Sequence, residues 1–171
     1  MKYREKKESL FLVGFTSGAW VLYLLIAVFT AFYPPSASSP PLPQISISQP
    51  QNAADVGGDV EVKGTVSNLP KGAVVWIFTV QFLSGETERF WPQRPGAIIP
   101  SSDGTWIGRA YFADTDLNKK FEIWAVVADS SINNYLEEYI ASVDRGNVVP
   151  FLGYPPFGAF LATAKISVTR R

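Results

Sequence analysis

Four aspartates, Asp103, Asp114, Asp116 and Asp129, are where chemistry would have to reside in this sequence, because histidine and cysteine are both absent. That absence removes Ser-His and Cys-His nucleophile pairs, and zinc sites built on imidazole or thiolate. No serine stands three residues before a lysine, and Gly57-Gly58 lacks the flanking pattern of a phosphate-cradling loop. Hydrolysis would therefore need two carboxylates facing one another across a cleft. Asp114-Thr115-Asp116 also offers two oxygens from one short loop, the donor type that Ca²⁺ takes. Each aspartate has a plainer duty. Asp103 starts a turn with Gly104, Asp114 and Asp116 steady the next one, and Asp129 precedes a helix N-terminus, where negative charge is favoured. The sequence thus predicts no catalytic residues, no metal site and no cofactor: the protein is expected not to be an enzyme.

Aromatic residues carry more promise. Phe90, Trp91, Trp106, Tyr111 and Trp124 have the side chains that stack on sugar rings or anchor a protein partner. Trp76, Phe78 and Trp124 stand in apolar runs and are expected in a core. Phe90 and Trp91 differ, lying between Arg89 and Pro92 in a stretch that Pro92 and Pro95 keep from the middle of a sheet. The expected binding residues are Phe90, Trp91 and Trp106. A second aromatic and proline-rich stretch, residues 148–158, is expected to cover one edge of the domain or to present a contact surface.

Strands must hold these residues. Val60, Val62, Gly64 and Val66 alternate with Asp59, Glu61, Lys63 and Thr65, the period of a half-buried strand. Ile45 to Ser48 alternates in the same way. Residues 73–83 are apolar on both faces, as in a central strand between two layers, and Trp76 fits the role of an aromatic plug there. Further strands are expected around Arg89-Phe90-Trp91, over 105–112, over 120–128 and over 159–170. Asp55 to Gly58 and 68–72 read as turns. One helix interrupts the series, with Ser130 or Ser131 as its cap, an apolar stripe of Ile132, Leu136, Tyr139, Ile140 and Val143, and Gly146 as its stop.

Ahead of the strands, residues 10–33 run for 24 positions without a charge. As a helix they would be about 36 Å long, enough to cross a hydrocarbon layer of about 30 Å. A cleaved export signal has a shorter apolar core, of about 7–15 residues. A retained transmembrane helix is therefore expected. Lys2, Arg4, Lys6 and Lys7 precede it and no charge follows until Asp55, so residues 1–9 form a basic cytoplasmic tail and the C-terminal part lies outside. Gly14 and Gly18 form a GxxxG face suited to helix pairing, and Trp20 and Tyr23, deep in the span, are expected to touch protein as well as lipid. Residues 34–44 hold five prolines and form a semi-rigid spacer.

Residues 45–171 make one domain of ordinary size, able to bury a core without metal or disulfide. The whole chain has 15 basic and 15 acidic residues, so no basic stripe exists to follow nucleic acid. The stretches VEVKGTVSNLPKGAVVWIF, DGTW and FEIWAVVAD resemble the broad class of bacterial membrane-anchored proteins carrying an immunoglobulin-like module. The resemblance implies a mainly β fold: a single N-terminal transmembrane helix, then an immunoglobulin-like antiparallel β-sandwich with one inserted amphipathic helix. Fold alone carries no function across. The expected role is non-catalytic: a single-pass membrane protein whose extracytoplasmic domain is an interaction module, as an accessory subunit of a membrane complex or in surface sensing or adhesion. Its partners would be the lipid bilayer and either another membrane protein or further copies of itself. A sandwich that binds envelope polysaccharide, a carbohydrate ligand, is the alternative; a carboxylate-based hydrolase ranks last.

Overall fold

The computed structural model describes residues 39–81, 89–147, 151–152 and 160–171. The chain divides into two units, Met1–Pro40 and Pro41–Arg171, and every described strand and helix belongs to the second. The apolar run 10–33, with Gly14, Gly18, Trp20 and Tyr23, lies outside the described residues; among those described, no helix is long and apolar enough to cross a membrane.

Eight strands, one α-helix and a single 3-10 turn (Asp114–Asp116) make up the described fold: β1 (Gln44–Gln49), β2 (Ala54–Val56), β3 (Asp59–Ser67), β4 (Val74–Gln81), β5 (Arg89–Pro92), β6 (Thr105–Tyr111), β7 (Lys120–Ala128), α1 (Ser130–Asp144) and β8 (Ala162–Arg170). They form a three-stranded sheet, β1-β3-β6, and a five-stranded sheet, β2-β8-β7-β4-β5. Every pairing is antiparallel except β2 with β8, which is parallel. The protein is mainly β, as expected.

Period-two patterning explains the small sheet. In β6, Trp106, Gly108 and Ala110 point inward and are buried while Thr105, Ile107, Arg109 and Tyr111 face solvent. Val62 and Val66 of β3 join Trp106 and Ala110 against Val75, Ile77, Ile123, Ala125, Val127 and Val168 of the large sheet. This is the core between the sheets. Trp106 crosses the face of Gly64, where an added Cβ would run into the indole and into the carbonyl of Ser46. The indole Nε1 has no partner among the described residues. That orphan costs about 1–3 kcal/mol, less than the ~4–6 kcal/mol from burying 150–250 Å² of aromatic surface at about 25 cal/mol/Å².

The large sheet is apolar on both faces because it is covered on both. Its second face carries Trp76, Phe78, Val80, Phe90, Val126 and Ala128, packed beneath Ile132 and Leu136 of α1 and beneath Leu152. Trp76 therefore plugs the layer between sheet and helix rather than the space between sheets. Its Nε1 donates to Asn133 Oδ1 at 2.9 Å, which a helix can offer and a sheet interior cannot. The plug between the sheets is Trp106.

The helix begins one residue earlier than the serines suggested. Asp129 is the cap, its Oδ1 accepting from the Ile132 amide at 2.9 Å. At the other end Gly146 takes φ +71°, and the amides of Gly146 and Asn147 return to the carbonyls of Val143 and Ser142. Strand β2 lies where a turn was expected, since three residues are too few to display a period. Residues 151–152 bridge to Phe90 and so cover the outer edge of β5; the rest of 148–158 lies outside the described residues.

Candidate functional site

The three expected binding residues, Phe90, Trp91 and Trp106, do not share one surface. Successive residues of a strand point to opposite faces, so Phe90 and Trp91 part company on β5. Phe90 is enclosed, 1% exposed, and meets Phe78 and Trp124 edge-on at 6.5 and 5.3 Å between ring centres. Trp106 is 2% exposed, between the sheets. Both side chains fill cores and offer a ligand no surface, which corrects the expectation for these two. Of the three, only Trp91 is half-buried, on the opposite face from Phe90, with its ring tilted against Phe151 at 5.8 Å.

Trp91 lines a cleft of about 780 Å³. Its walls include Gln81 of β4, Trp91 of β5, Tyr111 at the end of β6, Lys119 before β7, and Ile140 of α1. The cleft exists because the small sheet stops at β6 while the large sheet continues through β4 to β5.

Gln93 fixes the geometry. Although 7% exposed, it leaves no amide group idle: Nε2 donates to Thr79 Oγ1 and to the Trp91 carbonyl, both at 2.9 Å, and Oε1 accepts from the Tyr111 amide at 2.7 Å. One side chain therefore ties β4, β5 and β6 together. A buried amide bonded this fully costs little, whereas losing one partner would strand a donor or acceptor. Nothing in the sequence distinguished Gln93 from a surface glutamine.

Charges at the cleft are paired. Arg94 makes a two-pronged contact with Asp144, Nη1 reaching Oδ2 at 2.9 Å. Lys119 lies 3.0 Å from Asp116, whose other oxygen accepts from the Ala113 amide. The Arg89 guanidinium sits 4.8 Å above the Phe151 ring. Among the described residues lining the cleft, Asp116 is the one carboxylate.

The remaining aspartates are spread apart. Asp103 binds the amide and hydroxyl of Thr105, Asp129 caps α1, and Asp114 lies 3.6 Å from Arg170. Among the described residues no three His, Cys, Asp or Glu side chains gather as a metal-holding group.

Two carboxyls are held below the usual range, Asp103 by the Thr105 amide and then its hydroxyl, Asp144 by hydrogen bonds from Arg94. A carboxylate whose folded pKa is depressed contributes stability above its unfolded pKa, near 4, and loses it as pH falls through the folded value. Thermal unfolding is therefore expected to be flat from about pH 7 to pH 5 and to drop as pH falls below about 4. Asp103→Ala should lower the plateau and flatten the drop; an unchanged acid limb in that variant would refute its role. Both groups are exposed, so the slope is shallow and added salt weakens the Asp144 share.

Comparison of the sequence with protein-family models and with curated proteins finds no match.

Proposed function

We propose that this chain is a non-catalytic single-pass membrane protein whose extracytoplasmic domain is an immunoglobulin-like interaction module, with the Trp91 cleft as its recognition site. The carrying observation is the cleft itself: a half-buried tryptophan beside an open slot whose walls are fixed by Gln93. Ligand sites are typically apolar concavities with a few placed polar groups. The immunoglobulin-like reading is supported by the strand order. Sheets β1-β3-β6 and β8-β7-β4-β5 match strands A, B, E and G, F, C, C′ of such a sandwich, with strand D missing. The cleft lies beside that missing strand.

The membrane reading rests on the 24 uncharged residues of 10–33 and the basic residues before them. Protease added to sealed cells should remove the domain; protection would refute the orientation. The non-enzymatic reading rests on the sequence, which has no histidine or cysteine to build a nucleophile pair. If mild detergent extraction yields only bare monomer, and removing residues 10–33 changes no association, the subunit form of the proposal fails.

Carbohydrate is a second reading, favoured by the half-exposed face of Trp91. Titration of intrinsic fluorescence with envelope oligosaccharides should shift the emission. Trp91→Ala is expected to weaken any cleft ligand at least about tenfold, or ~1.4 kcal/mol, with the far-ultraviolet circular dichroism unchanged. A flat titration of the native protein removes this reading.

A further inference from the structure

The hydrogen-bond register of the small sheet leaves one edge of the fold open in a self-matching way. The amides of Phe112 and Val66 bond to Gly58 and Gly104, so the even-numbered residues of β3 direct their backbone groups to β6 and the odd-numbered ones to β1. Thr65 pairs with Ser46 and Ser67 with Gln44, so Gln44 and Ser46 face β3 while Ile45 and Ile47 turn N–H and C=O outward. Among the described residues no partner meets those outward groups. The two isoleucine side chains are only half-buried, at the rim of the inter-sheet core.

The edge at β5 and the two ends of the β6 edge are guarded, while Ile107 and Arg109 between those ends also turn N–H and C=O outward. At β6 the outward amides of Thr105 and Tyr111 are taken by Asp103 and Gln93, and the Thr105 carbonyl by the Ser101 amide. At β5, Leu152 bridges Phe90 in both directions. Edge strands left open are templates for pairing. The residues of β1 read nearly alike from either direction about Ser46: Gln-Ile-Ser-Ile-Ser.

We propose that β1 is a homodimer edge, pairing antiparallel with β1 of a second copy about a two-fold axis at Ser46. In that register Ile45 faces Ile47 of the second copy, and each such pair exchanges two hydrogen bonds. All four outward groups of each chain are then satisfied. Serine faces serine at the axis, and each half-buried isoleucine covers its counterpart. The pairing makes one continuous six-stranded sheet from two three-stranded ones. A single strand pair buries less than the roughly 1,200 Å² of a stable interface, so association is weak in dilute solution and strengthens when copies share one bilayer. This names a second copy as a partner for the interaction module proposed above. Its test is separate from the cleft, because Trp91→Ala leaves the pairing unchanged.

The chain has no cysteine, so a single introduced one reports cleanly. Residue 46 meets its counterpart at a non-hydrogen-bonded position, with Cα atoms about 4.5 Å apart, inside the range for a disulfide of about 4.4–6.8 Å. In membranes holding the full chain under mild oxidation, Ser46→Cys is expected to give a disulfide dimer several-fold more abundant than Thr65→Cys, one strand further in. Equal cross-linking of the two, or none at Ser46→Cys, overturns the proposal. Sedimentation of the full chain in detergent gives the second reading: Ser46→Lys opposes two ammonium groups and should abolish concentration-dependent dimerisation. Wild type and Ser46→Lys sedimenting alike also overturns it.

Discussion

Gly64→Ala is expected to destabilise the protein by about 3 kcal/mol or more, at the top of the range for overpacked cores. The reason is the nature of the atoms it meets. A methyl group at residue 64 would enter the carbonyl oxygen of Ser46 and the six-membered ring of Trp106, whose Cε2 would be 2.6 Å away. Neither can step aside: the carbonyl is backbone in a paired strand, and the indole is held between two sheets. A loss of this size lowers the unfolding midpoint by on the order of 10 °C for a domain of this length. Gly108→Ala makes the comparison, since there the obstacles are the terminal methyls of Ile77 and Ile98, which can rotate, and a smaller loss is expected. Trp106→Leu introduced beside Gly64→Ala should recover only part of the stability, because the Ser46 carbonyl remains. Denaturant unfolding of the four proteins decides the matter; a Gly64→Ala variant within 1 kcal/mol of wild type, on this scale, would mean that β1 is free to move away from β3.

Phe78→Ala is expected to cost about 3–5 kcal/mol, the usual figure for emptying a buried aromatic site. Phe78 is 1% exposed at the centre of the layer between the large sheet and α1. It meets Phe90 at 6.5 Å and Phe160 at 5.8 Å between ring centres, so its removal opens a cavity lined by rings that cannot collapse into it. Phe78→Leu should recover a large share of the loss. Because the helical layer is a separate core from the one between the sheets, near-ultraviolet circular dichroism of Trp76 should report the change directly. A loss below about 1 kcal/mol, typical of a surface site, would show that the neighbouring rings do close into the space.

Much of the β framework was legible because solvent and core alternate along β3, β6 and β7, and hydrophobicity records that alternation residue by residue. Strand β7 falls on the residues expected, 120–128, and the prolines placed β5 at an edge correctly. What escaped reading has a common cause: both faces of β4 are apolar, so periodicity cannot say which core receives Trp76. The second core itself was legible, from the two apolar faces of residues 73–83 and the apolar stripe of the helix. The partial exposure of Trp91 was legible from the breaks at Pro92 and Pro95, yet grouping it with Phe90 overlooked the strand geometry that sends neighbours to opposite faces. Trp106 stood in a clear alternating run beside valine-rich β3, and its burial follows from that pattern. Gln93 left no trace in the sequence, since its role comes from three partners distant along the chain.

The clamp made by Gln93 has a thermodynamic consequence for whatever enters the cleft. For a ligand of the proposed site, the β4, β5 and β6 walls, already joined at three points, would not draw inward, so selection would be by pre-existing shape with little ordering entropy lost there. Encounter should then follow one-step kinetics, with discrimination between candidates residing in how slowly the right one leaves.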